Sequence, residues 1–169
     1  MSEASDAQGD GGSDAPGFKV GTTPDLVSSD LVRKFHDFWL SRRGTKVLPT
    51  KAEMDPVDMA QFLPNIVLTE VIPKPLDFRY RIIGEEIVSR LGNMTGKRVR
   101  EMALNNLSGS AYQNYCFVTA SRQPQFLEGE AVTAFKPDRP YLMSRVHCPL
   151  STNGTDVDFI ISCITLHRR

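Results

Sequence analysis

The stretch FRYRIIGEEIVSRLGNMTG, residues 78–96, changes its period part-way along. Over Phe78–Ile83 the residues alternate, with Phe78, Tyr80 and Ile82 on one face and Arg79 and Arg81 on the other, as in a β-strand. Gly84 breaks the alternation. Residues 85–91 then read as a short helix stopped by Gly92, and Gly96 allows one more turn. A strand running straight into a glycine-bounded short helix sets the frame for the rest of the chain.

Immediately upstream, Ile66–Ile72 is an apolar run interrupted only by Thr69 and Glu70. Pro73-Lys74-Pro75 turns it back into the strand at Phe78. The pair is therefore a hairpin. Arg79 and Arg81 share a face of it, and a buried arginine is costly unless paired. They are open to two readings: an ion pair with Glu70 or an exposed sheet face on one hand, recognition of an acidic partner or ligand on the other.

Further upstream, the pattern predicts a helix over residues 30–43, with Asp30 as N-cap, Arg42 and Arg43 at the C-terminal end and Gly44 just beyond it. Leu31, Val32, Phe35, Phe38 and Trp39 form an aromatic stripe at helical spacing. Such a stripe packs on its own sheet or on a partner. A short helix is expected from Asp55-Pro56 to Pro64. Residues 1–24 are rich in Gly, Ser, Ala and acids, and read as a tail with little to bury; residues 25–169 read as the domain.

Downstream, a loop or short helix crosses residues 98–108, and a longer helix is expected over 110–122 with Ala111, Tyr115 and Val118 inward. Three strands come next, at about 126–135, 140–149 and 156–167, with turns at Pro137-Asp138 and Asn153-Gly154. Two strands, a helical crossover and a three-stranded meander make an α+β fold: a five-stranded antiparallel sheet, short helices on one face and a flanking N-terminal helix.

That order resembles a PAS domain. Three stretches resemble the short, stand-alone PAS proteins of alphaproteobacteria, the PAS_5 family: Met54–Asp58 leading to Phe62-Leu63-Pro64, the strand-helix unit at 78–96, and CPLSTNGTDVDFIISCI at 148–164. Glu85 departs from the Thr expected after the glycine, which puts in doubt any ligand contact carried by that Thr. The resemblance implies a non-enzymatic sensory or interaction module of bacterial signalling, with a cavity between the sheet and the short helices, and a homodimer formed through the N-terminal helix. With no output domain expected in the chain, its response would pass by contact to a signalling protein.

Composition bounds the partners. The 169 residues carry no formal net charge, 40% are hydrophobic and 24% charged, a globular balance that argues against a broad surface for nucleic acid. No secretory leader is visible and no apolar run approaches a membrane span, so a cytoplasmic location is expected. Cys116, Cys148 and Cys163 have neither metal nor redox spacing. The basic clusters Arg42/Arg43 and Lys97/Arg98/Arg100 read as solvated charge or as a phosphate contact.

No catalytic or metal signature emerges: there is no nucleophile elbow, no phosphate loop, and no paired His or Cys. No flavin or haem signature is present, and the cofactor is left unknown. His147 shares a strand face with Tyr141, Met143 and Arg145 and is the histidine able to reach a pocket. Candidate pocket walls are Tyr80, Ile82, Tyr115, Met143 and His147; candidate contact surfaces are Leu31, Phe35, Phe38 and Trp39 of the helix and Arg79 and Arg81 of the strand. Two rival readings stand beside a small-molecule or partner-binding module. One is a cone-shaped α+β isomerase or dehydratase using Glu128, Glu130 or His147. The other is a haem sensor.

Overall fold

The structure, a computed structural model, describes residues 17–104, 111–133 and 136–168. Its sheet has six strands, all paired antiparallel: β1 (Phe18–Gly21), β2 (Ile66–Pro73), β3 (Leu76–Ile83), β4 (Gln125–Thr133), β5 (Lys136–Leu150) and β6 (Phe159–Arg168). Their order across the sheet is β1-β4-β5-β6-β2-β3. Among the described residues the α-helices are four: α1 (Asp30–Arg43), α2 (Glu85–Leu91), α3 (Val99–Leu104) and α4 (Ala111–Ser121). The α+β, PAS-like architecture expected from the sequence is the one observed, with one strand more.

That extra strand corrects the reading of residues 1–24 as tail. Phe18–Gly21 pairs with Phe126–Gly129 and covers the β4 edge of the sheet. Gly129 makes room for it: a Cβ there would stand 2.6 Å from Gly17 O and 2.8 Å from the Phe18 ring. Residues 1–16 lie outside the described residues.

Helices cover both faces of the sheet. Residues directly opposite in an antiparallel ladder share a face, so the register assigns Tyr80, Thr69, Ser162, His147 and Gln125 to one side and Phe126, Glu128, Val146 and Cys163 to the other. The α4 helix lies on the first side, where Tyr115 meets Tyr80 and His147. On the second side lies α1, where His36 sits edge-on to Phe126 at 4.9 Å and the Trp39 indole N–H donates to Pro149 O at 3.0 Å. Burial on both faces explains why β6 is buried without interruption from Ile160 to Leu166.

The α1 helix keeps its expected bounds, but its N-cap is Ser29, whose Oγ accepts from Val32 N–H at 3.4 Å; Asp30 sits inside the first turn. Short 3₁₀ turns at Lys51–Glu53 and Leu63–Asn65 replace the single helix expected over 55–64. Asp55 still holds the start of the intervening turn, its carboxylate accepting from Val57 N–H at 2.8 Å. The turn expected at Pro137-Asp138 falls inside β5, because Thr133 already pairs with Lys136. Gly84 starts α2 with a φ of −63°, open to any residue, so space alone requires glycine: a Cβ would lie 2.3 Å from Pro64 O. Gly92 ends α2 at φ 88°, where glycine is needed for its backbone.

Candidate functional site

On the α4 side of the sheet the described strands place a run of polar residues where an apolar core is usual. Gln125, His147 and Ser162 stand side by side on β4, β5 and β6, and Thr69 and Tyr80 are paired on β2 and β3. Arg145 lies two residues before His147 on the same strand face. From α4, Tyr115 closes over them, and Asn114, its neighbour on the helix, is buried as well. All but the half-buried Arg145 are buried, His147 to 1% exposure and Thr69 to none.

Aromatic rings wall the cluster. Tyr115 lies 5.1 Å from His147, 5.3 Å from Phe78 and 6.3 Å from Tyr80, ring to ring. The far side of Arg145 rests on the Phe18 ring at 5.5 Å, a cation–π contact supplied by β1.

Hydrogen bonding inside the cluster is incomplete. His147 Nδ1 and Ser162 Oγ are bonded at 2.6 Å. Buried atoms without a partner are Thr69 Oγ1, Asn114 Nδ2, Gln125 Oε1, Arg145 Nε and His147 Nε2. Native interiors leave only a few such atoms per hundred residues. Four on one face of one sheet, with a fifth on the helix above it, is a concentration that calls for a polar occupant.

The electrostatics point the same way. Burial pulls the Arg145 guanidinium below its ordinary value, opposed by the phenols of Tyr115 and Tyr80. Among the described residues, no carboxylate acts on it. Burial, then the nearby Arg145 charge, drives the His147 imidazole well below its ordinary value, so it is neutral at pH 7. Burial and then Tyr115 push the Tyr80 phenol well up, which keeps its hydroxyl protonated as a donor.

Of the five residues expected to wall a pocket, Tyr80, Tyr115, Met143 and His147 share this side. Ile82 does not. The pairing skips Arg81 between Leu68↔Ile82 and Thr69↔Tyr80, a β-bulge that turns Ile82 to the opposite face, where it is 56% exposed. Arg145, Gln125, Thr69 and Asn114 are members of the site that the sequence reading misses. A signal for Arg145 is present, since a charged residue alternates with Met143 and His147 on an inward strand face.

The expected contact surfaces divide. Phe35 and Trp39 have no accessible surface, so the aromatic stripe of α1 packs mainly on its own sheet; only Leu31 and Phe38 remain half-buried. Arg81 is ion-paired with Glu70, its Nε donating to Oε2 at 2.7 Å. Arg79 is half-buried beside the same pair, bridged through its backbone to Arg98.

The acids invoked for an isomerase stand elsewhere. Glu128 and Glu130 belong to the α1 side of the sheet, by register. Burial alone would raise the Glu128 carboxyl, but hydrogen bonds from Ser144 and Ser28 outweigh it and hold the group below its ordinary value. A general acid needs the reverse. Of the other histidines, His36 is on the buried face of α1 and His167 is exposed near the end of β6. No group of three or more His, Cys, Asp or Glu gathers among the described residues.

A separate open cleft of about 590 Å³ runs between the start of α1, the Pro64-Asn65 turn, α2 and Thr165–His167 of β6. It exists because β2 pairs with β6 only as far as Ile66↔Cys163, and Asn65 Nδ2 closes that row by donating to Ile164 O at 2.9 Å. Of the candidate pocket and contact residues expected from the sequence, only Leu31 borders it.

Neither a curated protein nor a solved structure matches the chain. A family model described as a PAS domain matches residues 27–121, more than half of the sequence, from the residues leading into α1 to the end of α4. Strands β4 to β6, beyond the matched span, complete the same sheet. The chain belongs to the PAS domain family.

Proposed function

We propose that this chain is a non-catalytic sensory module that takes up a small molecule between α4 and the sheet and reports it to a signalling protein by contact. The family supports a sensor or interaction role in signalling. The observation that carries the ligand is the gathering of four unpartnered buried polar atoms on the sheet face beneath α4, with a fifth, Asn114 Nδ2, on α4 itself. A small molecule there would bridge the helix and the strands. It would shift the module only through unequal affinity for two arrangements of α4, a coupling of about 1–3 kcal/mol in typical cases.

The contact surface in this reading is the outer face of β2 and β3, where Ile82 stands exposed beside Arg79 and the Arg81–Glu70 pair. The occupied face and this outer face are the two sides of one hairpin, so strain at Tyr80 reaches Arg79 and Arg81 through the strand itself. A thermal-shift screen of the purified chain against small polar metabolites tests the reading. At least one compound should raise Tm, and Asn114→Leu should abolish the rise. A screen in which no compound shifts Tm removes the ligand from the account.

A further inference from the structure

The polar cluster has a composition that selects among ligands. Its one charged member is Arg145, whose Nε is shut off from solvent and without a hydrogen-bond partner. The groups acting on it are the phenols of Tyr80 and Tyr115, and the imidazole of His147, which feels its charge, is neutral. Neither β4 acid faces it, since Glu128 and Glu130 share the opposite face with Phe126. Among the described residues, no ion pair includes Arg145.

A half-buried guanidinium whose Nε is shut off from solvent without a partner is a costly arrangement, and one that a bound anion relieves. Resting on the proposed ligand site, we infer that the module's ligand is a small organic monocarboxylate whose carboxylate accepts from Arg145 and whose body lies against the Tyr80 and Tyr115 rings. One cation with a neutral imidazole beside it balances a single negative charge and leaves a phosphate dianion half compensated. Asn114 Nδ2, also unpartnered, supplies a second donor from α4, so a carboxylate held by both would tie the helix to β5. The flanking rings favour an organic body over a bare inorganic ion.

The test uses the full chain with benzoate, its neutral isostere benzamide, and inorganic phosphate, each at about 10 mM and matched ionic strength, read as the change in Tm. Benzoate should raise Tm by about 3 °C while benzamide and phosphate leave it in place. Arg145→Met, a cation-free replacement of similar length, should abolish the benzoate response. Equal stabilisation by benzamide would show that the site binds a small molecule without regard to charge, which overturns the anion inference and leaves the ligand site standing. Stabilisation by phosphate in place of benzoate would overturn the monocarboxylate. A benzoate response that survives in Arg145→Met would place the anion elsewhere and overturn the role of Arg145. If none of the three shifts Tm although a compound from the metabolite screen does, the inference fails and the site stands. If nothing in either series does, both fail.

Discussion

Arg145 is the residue on which the account turns, and its predicted behaviour is unlike that of a structural side chain. Replacing an unpaired charge that burial disfavours by an apolar side chain of similar size is commonly neutral or stabilising, and Arg145 is half-buried with its Nε unpartnered. Arg145→Met should therefore leave stability in urea at or above that of the parent chain. A loss beyond about 2 kcal/mol would assign Arg145 to packing against Phe18 instead. His147 makes a prediction in pH. Its folded value lies well below 6.5, so below that pH the unfolded chain takes up a proton that the folded chain refuses. Stability should fall as pH drops below 6.5, by up to about 1.4 kcal/mol per pH unit for this group. Denaturation at pH 7.5 and about 5.5 should show the loss, and His147→Asn should reduce it. His36, also lowered by burial, adds a smaller slope of the same sign. Part of the site is legible residue by residue: strand alternation brings Tyr80, Met143 and His147 to one face. Ile82 is misplaced because one bulged residue, Arg81, inverts the parity of the strand beyond it, and nothing in FRYRII marks which residue is skipped. Thr69 and Gln125 are illegible because a lone polar residue in an apolar run does not show whether its strand is covered on both faces.

At the scale of elements, α1 and the Gly84 corner carry the clearest expectations. Periodicity places the aromatic stripe correctly on a helix but does not identify its partner, since a sheet and a second molecule ask for the same pattern. The structure places Phe35 and Trp39 against the protein's own sheet. Trp39→Ala should accordingly cost about 3–5 kcal/mol in chemical denaturation, as for a buried aromatic. A near-neutral result would return the stripe to an external interface. Gly84→Ala should cost about 1–3 kcal/mol, because the added methyl meets the Pro64 and Leu63 carbonyl oxygens with no flexible side chain to yield. An unchanged midpoint in urea would mean that the corner between β3 and α2 opens freely. The motif at 78–96 reads as strand, glycine, helix, glycine, and that order holds in the fold. The reason for Gly84 differs: close approach of two backbones, rather than a special backbone angle.

For the whole molecule, the sequence yields five strands rather than six because residues 18–21 offer only Phe18 and Val20 as apolar residues in a Gly- and Ser-rich surrounding. Edge pairing with β4 and the space over Gly129 are long-range facts that no local pattern carries. Removing residues 1–22 should lower stability and expose the β4 edge, detectable as concentration-dependent association in sedimentation. A deletion that melts like the full chain and stays monomeric would make β1 dispensable. The same strand supplies Phe18 to Arg145, so the deletion should also weaken the benzoate response. The central claim is that the unpartnered polar atoms beneath α4 are completed by a ligand anion. A crystal structure of the full chain grown with benzoate tests it most directly. The account predicts a carboxylate accepting from Arg145 Nε, with its ring against Tyr80 and Tyr115. An acidic side chain of the protein itself seated on Arg145, with water alone on the remaining polar atoms, would contradict it.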